Sequence, residues 1–199
     1  MPRTADQNEA LRAATRARLV SAALALFARD GYAATSVRAI AAEAGMASGL
    51  LYSHFPGKEA LLHAVFEEGM ADVTASFAMA DAATPNARLD ALVRASVRIV
   101  REHLDFWRLC NATRAQPSVV AAVGPALAGW SGMILSTLRR YLEESGSTDP
   151  EGDSHALFAQ IDGICQHFAL HPESYPVDAV VERIVARWQR PEPIPPVSS

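Results

Sequence analysis

The sequence predicts an all-α fold of about nine helices, on three observations. Apolar residues recur at three- and four-residue spacing along almost the whole chain, and no stretch alternates as a strand would. Glycine and proline cluster between the periodic stretches, where helices end. Between residues 45 and 61, GMASGLLYSHFPGKEAL sets a glycine turn, a very short helix and a second helix start in succession.

The first helix is expected from about Asn8 to Arg29, burying Leu19, Ala23, Leu26 and Phe27, with Gly31 ending it. Thr35 reads as the N-cap of the second, in which Val37, Ile40, Ala41 and Ala44 form one buried face. Gly45 can take the positive φ that a sharp helix-to-helix turn requires. Ser48 to Ser53 then form a helix too short to persist without its neighbour. Phe55-Pro56-Gly57 closes it, and a long helix runs from Lys58 to about Ala80 with Leu62, Phe66, Met70, Val73 and Phe77 on one face.

Thr84-Pro85-Asn86 punctuates the chain before a helix marked by Leu89, Leu92, Val93, Ser96, Val97, Val100 and Leu104. Residues 105–115 continue as a shorter helix. Pro117 and Gly124-Pro125 read as breaks, so the next long helix is expected from about Pro125 to Glu144. Two last helices follow, from about Ser154 to Leu170 and from Val177 to Gln189. The tail PEPIPPVSS, residues 191–199, is expected to be extended or disordered.

Helix, glycine turn, short helix is the layout of a helix-turn-helix, here about residues 35–54, which lays its second helix in a DNA major groove. Two cations favour that expectation. Lys58 stands in the first turn of a helix, where the macrodipole prefers acids. Arg38 stands where a capping box headed by Thr35 would place Glu or Gln. Cations beside free helix amides suit an anion, and the expected anion is a phosphate. Lys58 is also the sole lysine of the chain.

Composition narrows the class. The net charge of −4 is uneven: residues 1–60 hold seven basic and five acidic side chains, and the remainder eleven and seventeen. A mildly positive head on an acidic body suits a protein that meets DNA at one end. Half of the residues are hydrophobic, enough for a core without disulfides. Cys110 and Cys165 lack metal-ligand spacing and are expected reduced. The sequence has no run of eighteen apolar residues and no apolar leader, so a cytoplasmic protein without a membrane partner is expected. His167 and His171 are four apart, but Pro172 follows and no acid shares that face, so no metal is expected. No nucleophile–base order, P-loop or dinucleotide motif occurs, and neither enzyme activity nor a cofactor is expected.

Arg18, Ala22-Ala23, Leu26-Phe27, Gly31-Tyr32, Thr35-Ser36-Val37, Ile40-Ala41, Ala44-Gly45, Gly49, Leu51-Tyr52, Phe55 and Lys58-Glu59 resemble the N-terminal signature of the TetR family of bacterial repressors. The resemblance covers about residues 15–62; the rest is similar only in helical layout. It implies a homodimer that represses transcription and leaves its operator DNA when a small-molecule effector binds the C-terminal domain. It divides the chain into a DNA-binding domain at 1–60 and a ligand-binding and dimerisation domain at 61–190. By position, Thr35, Tyr52, His54 and Lys58 would hold phosphates, joined by Arg38. Ser48, Gly49 and Ser53 would face base edges, and Leu50 either a thymine methyl or the scaffold. The chain departs from the family pattern at Ala47, which cannot cap the short helix, and harmlessly at Met46.

In the second half, aromatic, sulfur and polar residues converge as in a small-molecule pocket. Phe66, Trp107, Cys110, Asn111, Arg114, Trp130, Met133, Thr137, Gln166 and His167 are the candidates, with ordinary core as the alternative. Their apolar majority suggests a hydrophobic or aromatic ligand, with Arg114 able to meet an anion. Leu157, Ile161, Ile164, Cys165 and Phe168 form one apolar stripe, and Val181, Ile184, Val185 and Trp188 another. These stripes are expected to pair across a twofold axis in a four-helix bundle, the alternative being that one stripe packs wholly inside the subunit, as part of each must. Two rival classes remain at this level: a dimeric architectural DNA-binding protein without an effector, and a helical pocket protein with a vestigial head.

Overall fold

The structure, a computed structural model, describes residues 5–77, 84–114 and 116–189, and among these it forms nine helices and no strand. They are α1 (Ala5–Asp30), α2 (Val37–Glu43), α3 (Ser48–Tyr52), α4 (Lys58–Phe77), α5 (Pro85–Glu102), α6 (Leu104–Thr113), α7 (Pro117–Glu144), α8 (Pro150–Leu170) and α9 (Val177–Trp188). The chain divides into two compact units, one of residues up to Met70 together with Asp105–Gly124, the other of Ala71–Leu104 and residues from Pro125 onward.

In the first unit α1 packs on α2, and α2 on α3. Leu19, Phe27, Ile40, Leu51, Leu61, Leu62 and Phe66 are among its fully enclosed side chains, each contributing about 1.5–3 kcal/mol by burial. Phe106 of α6 belongs to the same core, with its ring 5.6 Å from that of Phe66. It lies so close to Gly69 of α4 that a Cβ there would stand 2.4 Å from the ring. The domain boundary expected at residue 60 therefore falls within a helix, and α6 clusters with the head because a glycine on α4 admits its phenylalanine.

In the second unit α5 packs against α8 and α9. Leu89, Leu92, Val93, Val97 and Val100 face inward from α5. Opposite them, Leu157, Ile161, Ile164, Cys165 and Phe168 on α8, and Val181, Ile184, Val185 and Trp188 on α9, are all buried within the single chain. These nine were expected at a subunit interface; they are the subunit's own core. The reason is α5, whose strongly one-sided apolar face needs a cover and takes both stripes. What α8 and α9 leave exposed is a different face, with Ala156, Ala159, Leu170, Ala179 and Ala186.

Several boundaries also move. Ser36, not Thr35, caps α2, its hydroxyl accepting from Ala39 N at 3.1 Å. α7 starts at Pro117 and carries Pro125 in its interior, because losing one N–H removes a single ladder bond and the turns on both sides still form. α8 starts at Pro150 behind an Asp149 cap, with Glu151 and Asp153 suiting the macrodipole in its first turn. By length and composition, Val119–Glu144 of α7 is apolar enough to cross a membrane, with a mean hydropathy of 1.6. The expectations for the tail at 191–199 and for the side chains of Val73 and Phe77 lie outside the described residues.

Candidate nucleic-acid interface

The turn between α2 and α3 is built by hydrogen bonds that the sequence encodes at one glycine. Gly45 takes φ +67°, its N–H donates to Ala42 O at 2.9 Å, and Met46 N donates to Ala41 O at 2.8 Å. This pair of bonds is the Schellman arrangement, and it reverses the chain in two residues. Arg18 of α1 reinforces the same spot, donating to Ala44 O at 2.7 Å. The sequence signal for that contact is only an arginine one turn before the α1 core; its carbonyl partner is not readable from spacing.

α3 has five residues and one anchor. Leu51 is 0% exposed, while Leu50 is 44% and Tyr52 58% exposed. Gly49 and Ser53 are exposed as well, and Ser48 is half-buried. The expected base-reading residues thus share one short, mostly solvent-facing helix. A Cβ on Gly49 would meet nothing within 4 Å, so no internal packing requires a glycine there. Ser53 donates its hydroxyl to Leu50 O at 2.7 Å, keeping lone pairs for an outside donor. Ala47 makes no side-chain cap, as its type dictates.

The expected phosphate contacts separate into two groups. Arg38 and Tyr52 are exposed and His54 half-buried, and among the described residues none of the three has a hydrogen-bond or ion-pair partner. Thr35 and Lys58 are committed elsewhere, which corrects the expectation for both. Thr35 is only 5% exposed, and its hydroxyl donates to Gly31 O at 2.8 Å. The Lys58 ammonium donates to the carbonyls of Tyr32 (2.8 Å), Thr35 (3.0 Å) and Ala33 (3.3 Å) and sits 4.5 Å from the centre of the Tyr32 ring. The chain leaves α1 at Gly31, with φ +85°, and turns through residues 32–34 before Ser36, which is extended, starts α2. Its carbonyls have no ladder partners there, so a side chain with three N–H groups satisfies them. A cation at the start of α4 therefore serves the backbone of its own subunit.

The expected pocket residues divide between the units. Phe66, Trp107, Cys110, Asn111 and Arg114 belong to the first. There Phe66, Trp107 and Cys110 are buried, Asn111 is half-buried, and Arg114 is exposed. Burial pushes the Cys110 thiol up to about 12, so it is an inert apolar wall. The Asn111 amide nitrogen is enclosed and has no hydrogen-bond partner among the described residues. Trp130, Met133, Thr137, Gln166 and His167 belong to the second unit. Met133 and His167 are exposed there, His167 stacks on Tyr175 at 5.5 Å, and Thr137 spends its hydroxyl on Met133 O. Two grooves open on that unit, of about 410 Å³ beside Arg101, Phe168 and Tyr175 and about 610 Å³ along α5 and α9. None of the ten expected residues lines either groove.

Comparison with known proteins agrees with both halves of the chain. Residues 19–65 match the family model described as bacterial regulatory proteins, tetR family, and residues 120–190 match that of the tetracyclin repressor-like C-terminal domain. YerO of Bacillus subtilis (strain 168), described as an uncharacterized HTH-type transcriptional regulator, is 47% identical over 45 residues, 23% of this chain and 16% of that protein. The HTH-type transcriptional repressor KstR2 of Rhodococcus jostii (strain RHA1) is 36% identical over 87 residues, 43% of each chain. The chain thus spans less than half the length of either relative. Among solved structures, the regulator FadR of Bacillus subtilis in complex with stearoyl-CoA superposes with a TM-score of 0.72, covering 86% of this chain and 96% of that one at 18% identity, which establishes a shared fold. Turn, short anchored helix, nine-helix order and matches in both halves lead to one conclusion: the chain belongs to the TetR family of bacterial transcription regulators.

Proposed function

We propose that the protein is a dimeric, cytoplasmic repressor that binds operator DNA through α3 and releases it when a small apolar or amphipathic molecule binds. One observation carries the DNA-binding part: α3 holds itself to the subunit by Leu51 alone and turns Gly49, Leu50, Tyr52 and Ser53 outward. Exposing a leucine and a tyrosine on a five-residue helix stabilises nothing within the subunit, and a major groove gives both a partner. Ser48, Gly49 and Ser53 read base edges, Leu50 meets a thymine methyl, and Arg38, Tyr52 and His54 hold phosphates.

The effector acts through α6 and α4. α6 presents Trp107, Cys110 and the hydrogen-bond donor of Asn111, and its Phe106 is seated on Gly69 of α4. α4 is one helix from Lys58 past Met70, so a shift of α6 reaches the segment that carries α3. A hundredfold loss of operator affinity needs about 2.7 kcal/mol of difference in effector affinity between the two states. The stearoyl-CoA of the FadR structure makes fatty acyl thioesters the first class to test.

Fluorescence anisotropy with duplexes from the region upstream of the gene tests this function. A specific duplex should bind with steep salt dependence, and one effector of a hydrophobic library should both raise the melting temperature and release the DNA. Absence of salt-dependent duplex binding overturns the proposal.

A further inference from the structure

We infer that Lys58 is a positioning residue for DNA recognition and makes no phosphate contact of its own. This rests on the proposed DNA-binding function. The ammonium lies within hydrogen-bond distance of three carbonyls between Tyr32 and Thr35 and over the Tyr32 ring, which itself packs edge-on against Phe27 at 5.2 Å. Thr35 immediately precedes Ser36, the cap of α2. Lys58 is the first residue of α4, the helix that follows α3. Its side chain thus closes a ring: α1, the connection into α2, α2, the Gly45 turn, α3 and back to α4. Arg18 braces the same ring from the inside at Ala44. Opening it at Lys58 frees α2 to rotate against α4, and α3 rides on α2.

The chemistry of the cradle separates this role from a phosphate contact. Three carbonyls disposed around one point fit a compact ammonium with three N–H donors. A planar guanidinium cannot aim at all three, although it grips a phosphate at least as well. Lys58→Arg therefore keeps the charge and loses the position, and Lys58→Met loses both.

The test measures operator and random-duplex affinity across a salt series for wild type, Lys58→Arg and Lys58→Met, at a temperature where circular dichroism shows each fully folded. The expected result is that both variants lose about tenfold or more in operator affinity, as fits the loss of charge-assisted hydrogen bonds. Lys58→Arg should keep the wild-type salt slope and its affinity for random duplex, so its operator preference falls. Exchange of the backbone amides of α2 should quicken in both. The inference is overturned if Lys58→Arg binds operator like wild type while Lys58→Met flattens the slope by about 0.9 for each phosphate released. Should Lys58→Met not fold, Tyr32→Leu, which removes the ring beneath the ammonium and leaves the carbonyls, must lower operator preference in the same direction. A wild-type protein that binds no duplex is a different failure, that of the proposed function.

Discussion

The two units differ in how far their cations rely on carboxylates. In the second, arginines close on carboxylates: Arg94 bridges Asp90 at 2.6 Å and Glu182 at 2.6 Å, Arg101 meets Asp178 at 3.2 Å, and Arg88 meets Glu144 at 2.8 Å. In the first, Arg16, Arg29 and Arg108 also meet carboxylates, those of Glu68, Asp30 and Asp105, but Arg18 and Lys58 close on neutral carbonyls and Arg38 closes on nothing among the described residues. Both kinds of contact tether helices, but only the carboxylate pairs cancel the charge. A carbonyl satisfies a cation's hydrogen bonds and leaves its field intact. At Arg18 and Lys58 the head is therefore cross-linked without losing positive charge, which a protein approaching a polyanion needs.

The largest expected effect tests the mechanical side of this contrast. Leu51→Ala removes the only buried side chain of α3, and a five-residue helix has no stability of its own. Stability should fall by about 2–5 kcal/mol, as for a large-to-small core change, and specific DNA binding should be lost. Chemical denaturation and anisotropy on the same sample check both; retained operator binding would show that α3 is held by something other than its anchor.

Next comes a paired experiment on charge. Arg38→Ala and Arg94→Ala delete the same unit of charge, one from the open head and one from a neutralised cluster. The first should weaken binding to every duplex alike and flatten the salt slope by about 0.9 for each phosphate it no longer neutralises. The second should leave affinity and slope unchanged. Equal slopes for the two variants would mean that position does not distinguish the cations.

A smaller effect probes the seam between α4 and α6. Gly69→Ala places a methyl about 2.4 Å from the buried Phe106 ring, which has nowhere to go. Overpacking costs about 1–3 kcal/mol, and the gain in helix propensity returns about 1 kcal/mol, so a net destabilisation near 1 kcal/mol is expected. The melting temperature reads it directly, and an unchanged or raised value would detach α6 from α4.

The head is legible because its signals are local. A glycine needing positive φ, a five-residue helix and the apolar repeat of α2 each speak within one turn. The second half is legible as helices and illegible as surfaces. The stripes of α8 and α9 are real, but a stripe shows only that something covers it, and whether α5 or a second subunit does so depends on contacts more than fifty residues away. The phosphate role expected of Lys58 fails for the same reason. Its position in the first turn is readable, whereas the carbonyls of residues 32, 33 and 35 that claim it become its neighbours only when α1 folds back on α4. The Asp149-Pro150 start of α8 is a local signal too, and a stronger one than the serine at 154, since it joins a capping carboxylate to a proline at the first helical position.

The smallest expected effect separates the two kinds of tether by titration. The hydrogen bond from Arg94 holds the Glu182 carboxyl below the usual carboxylate range, the nearby positive charge adding to it. A depressed carboxylate contributes stability above its unfolded pKa and loses it as pH falls through the folded value, so the α5–α9 pair should weaken below about pH 4.5. Both partners are largely exposed, so salt should erase most of the effect even at neutral pH. The carbonyls that hold Lys58 do not titrate. Hydrogen exchange followed from pH 7 to 3.5 should therefore show α9 amides losing protection before those of residues 32–41, with Glu182→Gln abolishing the pH dependence at α9 alone. Loss of protection in the head first, or in both regions together, would mean that the carbonyl-held Lys58 tether and the carboxylate-held Arg94 tether do not differ in their response to acid.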